Sequence, residues 1–359
     1  MNMHAVMNLA YWFRTKMSMR TSKPRDRHVA RFCRLTAALP LIFVFIAPAE
    51  AESVKEARKS CTGNPDVPWA TQIKSCTVLI QSSGDTGNAL AAHYYKRGVA
   101  YFNLGEFDRS IADNDQAIRL HARYQDAWVN RGAAYARKGH IDRAIQDYDQ
   151  AIRLNPRDPI AYYNRGQARL DKDLYDLAIQ DFNESLKLNP NNEYALNNRG
   201  VAYRNKGQYV RAIEDYDLAL KINDKYVAAY NNRCWARALA GQFEKALADC
   251  EMSLKLKPND ASAYDGKGFT LLRLGRPDRA IAEYDRALAI SPRLVSALYG
   301  RGIAKLRTGD RAGGRSDIAA AKSIQANIAA EFQRYGIHEQ EPQRPDPKQA
   351  GSSRQRRER

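Results

Sequence analysis

The chain repeats itself every 34 residues, and that period constrains its fold more than any other property. VNRGAAYARKG at 129–139 returns as NNRGVAYRNKG at 197–207, two periods on. In this register gapless units run 91–124, 125–158, 159–192, 193–226, 227–260, 261–294 and 295–328. The fourth position is large and apolar (Tyr94, Trp128, Tyr162, Leu196, Tyr230, Tyr264, Leu298), and the eighth is glycine (Gly98, Gly132, Gly166, Gly200, Gly268, Gly302) except at Cys234. Positions 20, 24 and 27 are small or apolar, as in Ala144, Tyr148 and Ala151. Positions 4, 8 and 11 share one helix face, and 20, 24 and 27 share another. Each unit therefore reads as two helices, A and B, joined by a turn such as Arg137 to Asp142, where Gly139 ends helix A and Asp142 caps helix B. Pro156 then stops helix B. Glycine inside a helix costs about 1 kcal/mol against alanine, so position eight should mark a close approach of the two helices.

These residue types at positions 4, 8, 11, 20, 24, 27 and 32 resemble the tetratricopeptide repeat family over residues 91–328. The resemblance implies an all-α fold: a right-handed superhelical solenoid of stacked antiparallel helix pairs, its concave wall lined by the A helices. Departures are local. Ala122, Asp224 and Ala326 replace the terminal proline, Asn114 and Ile318 take an aromatic position, and Cys234 and Cys250 replace a glycine and an aromatic. Position seven departs systematically, being Arg97, Arg131, Arg165, Arg199, Arg233, Lys267 and Arg301, while position 23 is Asp113, Asp147, Asp181, Asp215, Asp249, Glu283 and Asp317. A partly buried arginine requires a bonded partner. The ladder is therefore read as pairing between helices rather than as a phosphate-binding row.

The ends lie outside the period. Arg25, Arg27, Arg31 and Arg34 precede the apolar run Leu35 to Ala47, and an A-x-A pattern ends at Ala51. That order reads as a cleavable secretory signal peptide, 1–51, and places the mature chain in the periplasm. An uncleaved anchor is the alternative, and Met17 or Met19 would give a more ordinary start than Met1. Residues 52–90 are expected to form an N-terminal cap with one helix, Ile73, Cys76 and Ile80 lying one turn apart. At the other end, Ile328, Phe332 and Tyr335 mark a capping helix at 329–336, before a basic tail at 337–359 with too little apolar surface to fold.

The formal net charge is +17, but 1–51 alone carry eight basic and two acidic residues. The remainder is spread over many helices, which favours acidic or neutral partners without demanding nucleic acid. None of the six histidines stands at metal-ligand spacing from another, and no HExxH, GxSxG or GxxxxGK[ST] occurs. No cofactor, metal or catalytic site is expected, and after signal cleavage no stable membrane insertion.

The resemblance implies that positions 2, 5, 6, 9, 12 and 13 face a ligand. Position six gives Asn130, Asn164, Asn198 and Asn232 in four successive units. An amide both donates and accepts, so such a row can bond an extended peptide backbone. It can equally bond neighbouring helices. Tyr95, Tyr163 and Tyr299 at position five and Trp235 and Phe269 at position nine suit recognition at low entropic cost. Arg137, Arg204, Arg273 and Arg307 add positive charge at positions 12 and 13. The reading is a non-catalytic scaffold that binds a protein or extended peptide. The alternative is an envelope-assembly factor whose basic surface or RQRRER tail holds acidic membrane or cell-wall polymer. A carboxylate clamp of the kind found in some family members is not supported, since position five has no lysine and position nine no asparagine.

Removing Cys33 with the signal leaves Cys61, Cys76, Cys234 and Cys250, an even number in an oxidising compartment. Cys234 and Cys250 occupy positions 8 and 24 of one unit, which face each other across an antiparallel pair, and Cys61 lies just upstream of Cys76. Bridges Cys61–Cys76 and Cys234–Cys250 are expected. Four buried free thiols are the alternative.

Overall fold

The computed structural model describes residues 47–339, with side chains from Ser53. The expected signal peptide and basic tail therefore lie largely outside the described residues, at 1–46 and 340–359. Among the described residues there are seventeen α-helices and no strand. They divide into two compact units, 1–174 and 175–359. The first holds α1 (Ala47–Ser60), α2 (Trp69–Ser82), α3 (Gly87–Asn103), α4 (Phe107–Leu120), α5 (Gln125–Arg137), α6 (Ile141–Leu154) and α7 (Pro159–Asp171). The second holds α8 (Tyr175–Leu188), α9 (Glu193–Asn205), α10 (Tyr209–Ile222), α11 (Val227–Leu239), α12 (Phe243–Leu256), α13 (Ala261–Arg273), α14 (Pro277–Ile290), α15 (Val295–Thr308), α16 (Arg311–Ile324) and α17 (Ile328–Arg334). Within each unit, consecutive helices pack as the pairs that the 34-residue period predicts.

Helix boundaries follow local chemistry. Gly139, Gly207, Gly241, Gly275 and Gly309 carry φ between 73° and 95° after A helices, a region that glycine enters without strain. Asp158, Asn192 and Asp260 cap the next A helices by accepting backbone N–H bonds. The expected capping role of Asp142 is not seen. His140 is the N-cap residue of α6, and Asp142 sits in its first turn, where it favours the positive end of the helix and takes the Lys172 ammonium.

Position eight is where the helices touch. A Cβ built on Gly200 would stand 2.6 Å from Tyr216 Cε1, and one on Gly132 2.8 Å from Tyr148 Cε1. Both tyrosines are almost wholly buried. In 227–260 a different pair fills this seam: Cys234 and Cys250 form a disulfide with Cα atoms 5.6 Å apart.

The position-seven cations pair as expected. Arg97, Arg131, Arg199, Arg233 and Arg301 each grip the position-23 aspartate of the same unit through Nε and Nη2, at 2.5–2.9 Å. A further nitrogen reaches back 16 residues, into helix B of the preceding repeat: Arg131 Nη1 to Asp115 at 2.5 Å, Arg165 Nη1 to Asp149 at 2.6 Å and Arg233 Nη1 to Asp217 at 2.6 Å. Arg131 and Arg233 thus each join both helices of their own pair and the helix B before it. The aspartate end is the more buried, 4% exposed at Asp147, so these are fork-to-fork bonds in a partly desolvated seam rather than surface pairs.

The cap at 52–90 contains two helices, α1 and α2, not one. Polar and alanine-rich, α1 carries no trace of the 34-residue motif, which hides it in the sequence. The Cys61–Cys76 bridge ties its end to α2, with Cα atoms 4.9 Å apart. The buried stripe of α2 is Gln72, Cys76 and Leu79, rotated from the expected Ile73, Cys76 and Ile80. The rotation comes from Gln72, fully buried because its amide accepts from Gly63 N and donates to the carbonyls of Asn64 and Val67, pinning the intervening loop. Thr77 of α2 accepts from Arg97 Nη1 at 3.0 Å, so α2 serves the first repeat as a preceding helix B.

Candidate partner-binding face

Positions 2, 5, 6, 9, 12 and 13 of the A helices are those expected to face a partner. In the first unit Tyr95 packs its ring 5.0 Å from that of Tyr124, and burial pushes its phenol up. Asn130 Nδ2 is buried with no acceptor. Asn164 is 7% exposed and Tyr163 is half-buried. Arg137 lies over the ring of Phe107, 5.1 Å from its centroid. Acidic groups share this face. Burial and the nearby charge of Asp158 raise Asp126. Burial pushes Asp171 up to about 6, against a 2.8 Å bond from Gln167. The expected basic groove is, in this unit, a face of mixed charge.

In the second unit the asparagines bond one another. Arg204 donates to Asn232 at 3.4 Å, Asn232 to Asn197 at 2.9 Å, and Asn197 to Asn198 at 3.1 Å. Asn198 is 2% exposed. These amides brace neighbouring A helices, one of the two roles open to them in the sequence.

Two of the expected groove aromatics are covered. Phe269 stacks on Trp235 at 4.3 Å, and its edges meet Phe332 at 6.0 Å and Tyr335 at 5.8 Å. Tyr299 lies 4.7 Å from Phe332 and donates its hydroxyl to Glu339 Oε1 at 2.7 Å. Neither Phe269 nor Tyr299 is more than 1% exposed, with the rings of Phe332 and Tyr335 lying against them. The same contacts correct the tail boundary: Ile337, placed at the start of an unfolding tail, is 1% exposed within the core.

Arg273 donates to the Tyr335 carbonyl at 2.8 Å and Arg307 to the Leu272 carbonyl at 3.3 Å. Burial lowers both guanidinium pKa values, and no described carboxylate pairs with either. Beside them Asp265 is buried, one oxygen taking the Ser296 hydroxyl at 2.5 Å and the other without a partner. Burial and then the charge of Glu331 push it up to about 7, the Ser296 bond opposing. Nothing in the repeat pattern singled out Asp265, although an acid at position five is unlike the tyrosines, asparagines and single valine of the other units.

Tetratricopeptide repeat models match residues 95–159, 134–193, 193–226 and 261–294. The chain belongs to the tetratricopeptide repeat family. A tetratricopeptide repeat protein from Parabacteroides merdae superposes with a TM-score of 0.58 at 20% identity, covering 69% of this chain and 98% of that one. The Cut9–Hcn1 hetero-tetramer of APC/C gives 0.54 at 22% identity over 71% of this chain and 52% of that one. Pseudomonas aeruginosa pilF gives 0.51 at 14% identity over 58% of this chain and 94% of that one. At these identities the likeness is one of fold. No curated protein matches the chain.

Proposed function

We propose that this tetratricopeptide protein is a non-catalytic scaffold that holds a protein or extended peptide segment, acidic or neutral, against the inner face of its A helices. One observation carries the reading: in the first unit, Asn130 presents a buried amide donor without an acceptor on the face that also holds Tyr95, Tyr163 and Arg137. Once the half-buried side chain turns outward a peptide carbonyl would satisfy it, while the aromatics supply contact area at low entropic cost. The proposed location is the periplasm. Its supports are the segment order in 1–51, two disulfides, and the lack of any described helix long and apolar enough to cross a membrane. Cleavage after Ala51 would remove the first residues of α1. The rival role for the RQRRER tail falls on residues outside the described structure.

The test replaces Asn130 and Asn164 with alanine and measures capture of the bound partner by a photo-crosslinker placed at position 163. Each lost bond to a peptide backbone is worth about 1 kcal/mol, so capture should fall about tenfold or more. Thermal stability should change little, since the Asn130 donor already lacks a partner. A chain that melts early yet captures its partner as before would make the asparagines structural.

A further inference from the structure

We propose that the inner face of α13 and α15 is a second binding site, for a short protein helix carrying two aromatic side chains one turn apart and a carboxylate, and that residues 328–339 occupy this site in cis. The proposal rests on the inner face being a binding surface and specifies what one end of it takes.

Three observations converge. First, α17 packs on α15 and α16, yet Phe332 and Tyr335 carry the segment further, to Phe269 of α13, two A helices back. Its contacts fall on the ligand-facing positions: Phe332 on Phe269 and Tyr299, Tyr335 on Phe269, and the Tyr335 carbonyl on Arg273. Second, the surface beneath is built as an anchor pocket, with Phe269 backed by the stacked Trp235 and with half-buried Arg273 and exposed Arg307 at its rim. Third, the cis occupant satisfies this pocket incompletely. Arg273 and Arg307 receive only backbone carbonyls, and Asp265 keeps a buried oxygen without a donor. The one carboxylate on α17, Glu331, is spent on Tyr335 Oη and Gln325 rather than on either arginine.

A segment that brings the same two aromatics with a carboxylate in place of the Tyr335 carbonyl would exchange a neutral acceptor on Arg273 for a charge-assisted bond. It must compete with an intramolecular occupant at an effective concentration in the millimolar range. The site is therefore closed by default and opens to a ligand that supplies what α17 lacks.

The experiment uses the full chain carrying Phe332→Ala and Tyr335→Ala, which removes both anchors of α17. The probe is a dye-labelled synthetic peptide of residues 327–335 with a free carboxylate at Tyr335, followed by fluorescence anisotropy. The altered chain should bind it at least about tenfold more tightly than the unaltered chain, in which the pocket is filled. The same peptide ending in an amide should bind about tenfold more weakly, as loss of a charge-assisted bond requires, and Arg273→Ala should remove that difference. Equal binding to altered and unaltered chains overturns the proposal, and equal binding of acid and amide overturns its carboxylate. Should the two alanines unfold the neighbouring repeats, hydrogen exchange of the unaltered chain decides. Opening of α17 ahead of α15 and α16 supports a displaceable occupant, and opening together with them makes α17 a fixed part of the stack. Capture from position 163, in the first unit, is independent of this pocket. Its failure with peptide binding intact sinks the reading of the first unit alone, and the converse sinks only this one.

Discussion

Replacing Gly200 with alanine tests the physical reason for the repeated glycine. An alanine inside a helix gains about 1 kcal/mol over glycine. At this position the new methyl would stand 2.6 Å from Tyr216 Cε1 and 3.0 Å from Cδ1 and Cζ. Tyr216 is fully buried, so its ring cannot swing away without displacing the neighbours that enclose it. Overpacking of this kind costs about 1–3 kcal/mol, and a contact this short belongs at the upper end. The net expectation is a loss of about 1–2 kcal/mol despite the better helix former. Shortening Tyr216 to leucine should turn the same substitution from harmful to neutral or stabilising, a coupling of about 2 kcal/mol between residues in direct contact. Urea unfolding followed by circular dichroism on the four chains of this cycle measures both numbers. Because repeats unfold in near-neighbour fashion, the midpoints are best read together with hydrogen exchange in α9 and α10. If Gly200→Ala stabilises the otherwise unaltered chain by about 1 kcal/mol, close approach is not why glycine is there.

Two further substitutions probe the charges. Arg131→Ala removes the Nε and Nη2 bonds to Asp147 at 2.9 and 2.7 Å, leaving a carboxylate 4% exposed without its fork. The urea midpoint should report a loss of about 3–5 kcal/mol, whereas a loss under about 1 kcal/mol would mark the ladder as ordinary surface pairs. Asp265 has a folded pKa of about 7, above the roughly 3.9 of an unfolded aspartate. The native state therefore binds the extra proton, so the second unit should lose stability as pH rises from about 4 to 7 and level off above that. Asp265→Asn should abolish this decline between pH 4.5 and 7.5, and an unchanged decline would locate its source elsewhere.

The repeat, the helix pairs, the salt-bridge ladder and the Cys234–Cys250 bridge were legible because each is a matter of fixed offsets, and Cys61–Cys76 followed as the pair left over among four cysteines. Within each compact unit position seven meets position 23 and position eight meets position 24, so the pairing of Arg131 with Asp147 or Cys234 with Cys250 follows from register alone. What escaped depends on contacts without a period. Polar α1 carries none of the repeat's offsets, and its place is set by the Cys61–Cys76 bridge and by Arg58 and His93 converging on Asp85 at 2.8 Å. The spacing of Phe332 and Tyr335 announced a helix, but not that it would fold back over Phe269 and Tyr299 and take two expected contact residues out of solvent. Position six offered the same asparagine four times, and only the bonds from Arg204 through Asn232 and Asn197 to Asn198 distinguish the second unit from the first, where Asn130 keeps a donor to spare.

The central claim is that the inner face of the A helices carries the partner. A photo-crosslinking residue placed at Tyr163 in living cells, with a matched one at Val210 on α10, which is 65% exposed, tests it most directly. The account predicts a discrete protein adduct from position 163, reduced by Asn130→Ala and Asn164→Ala and absent from position 210. No adduct from position 163, or the same adduct from both positions, would contradict it.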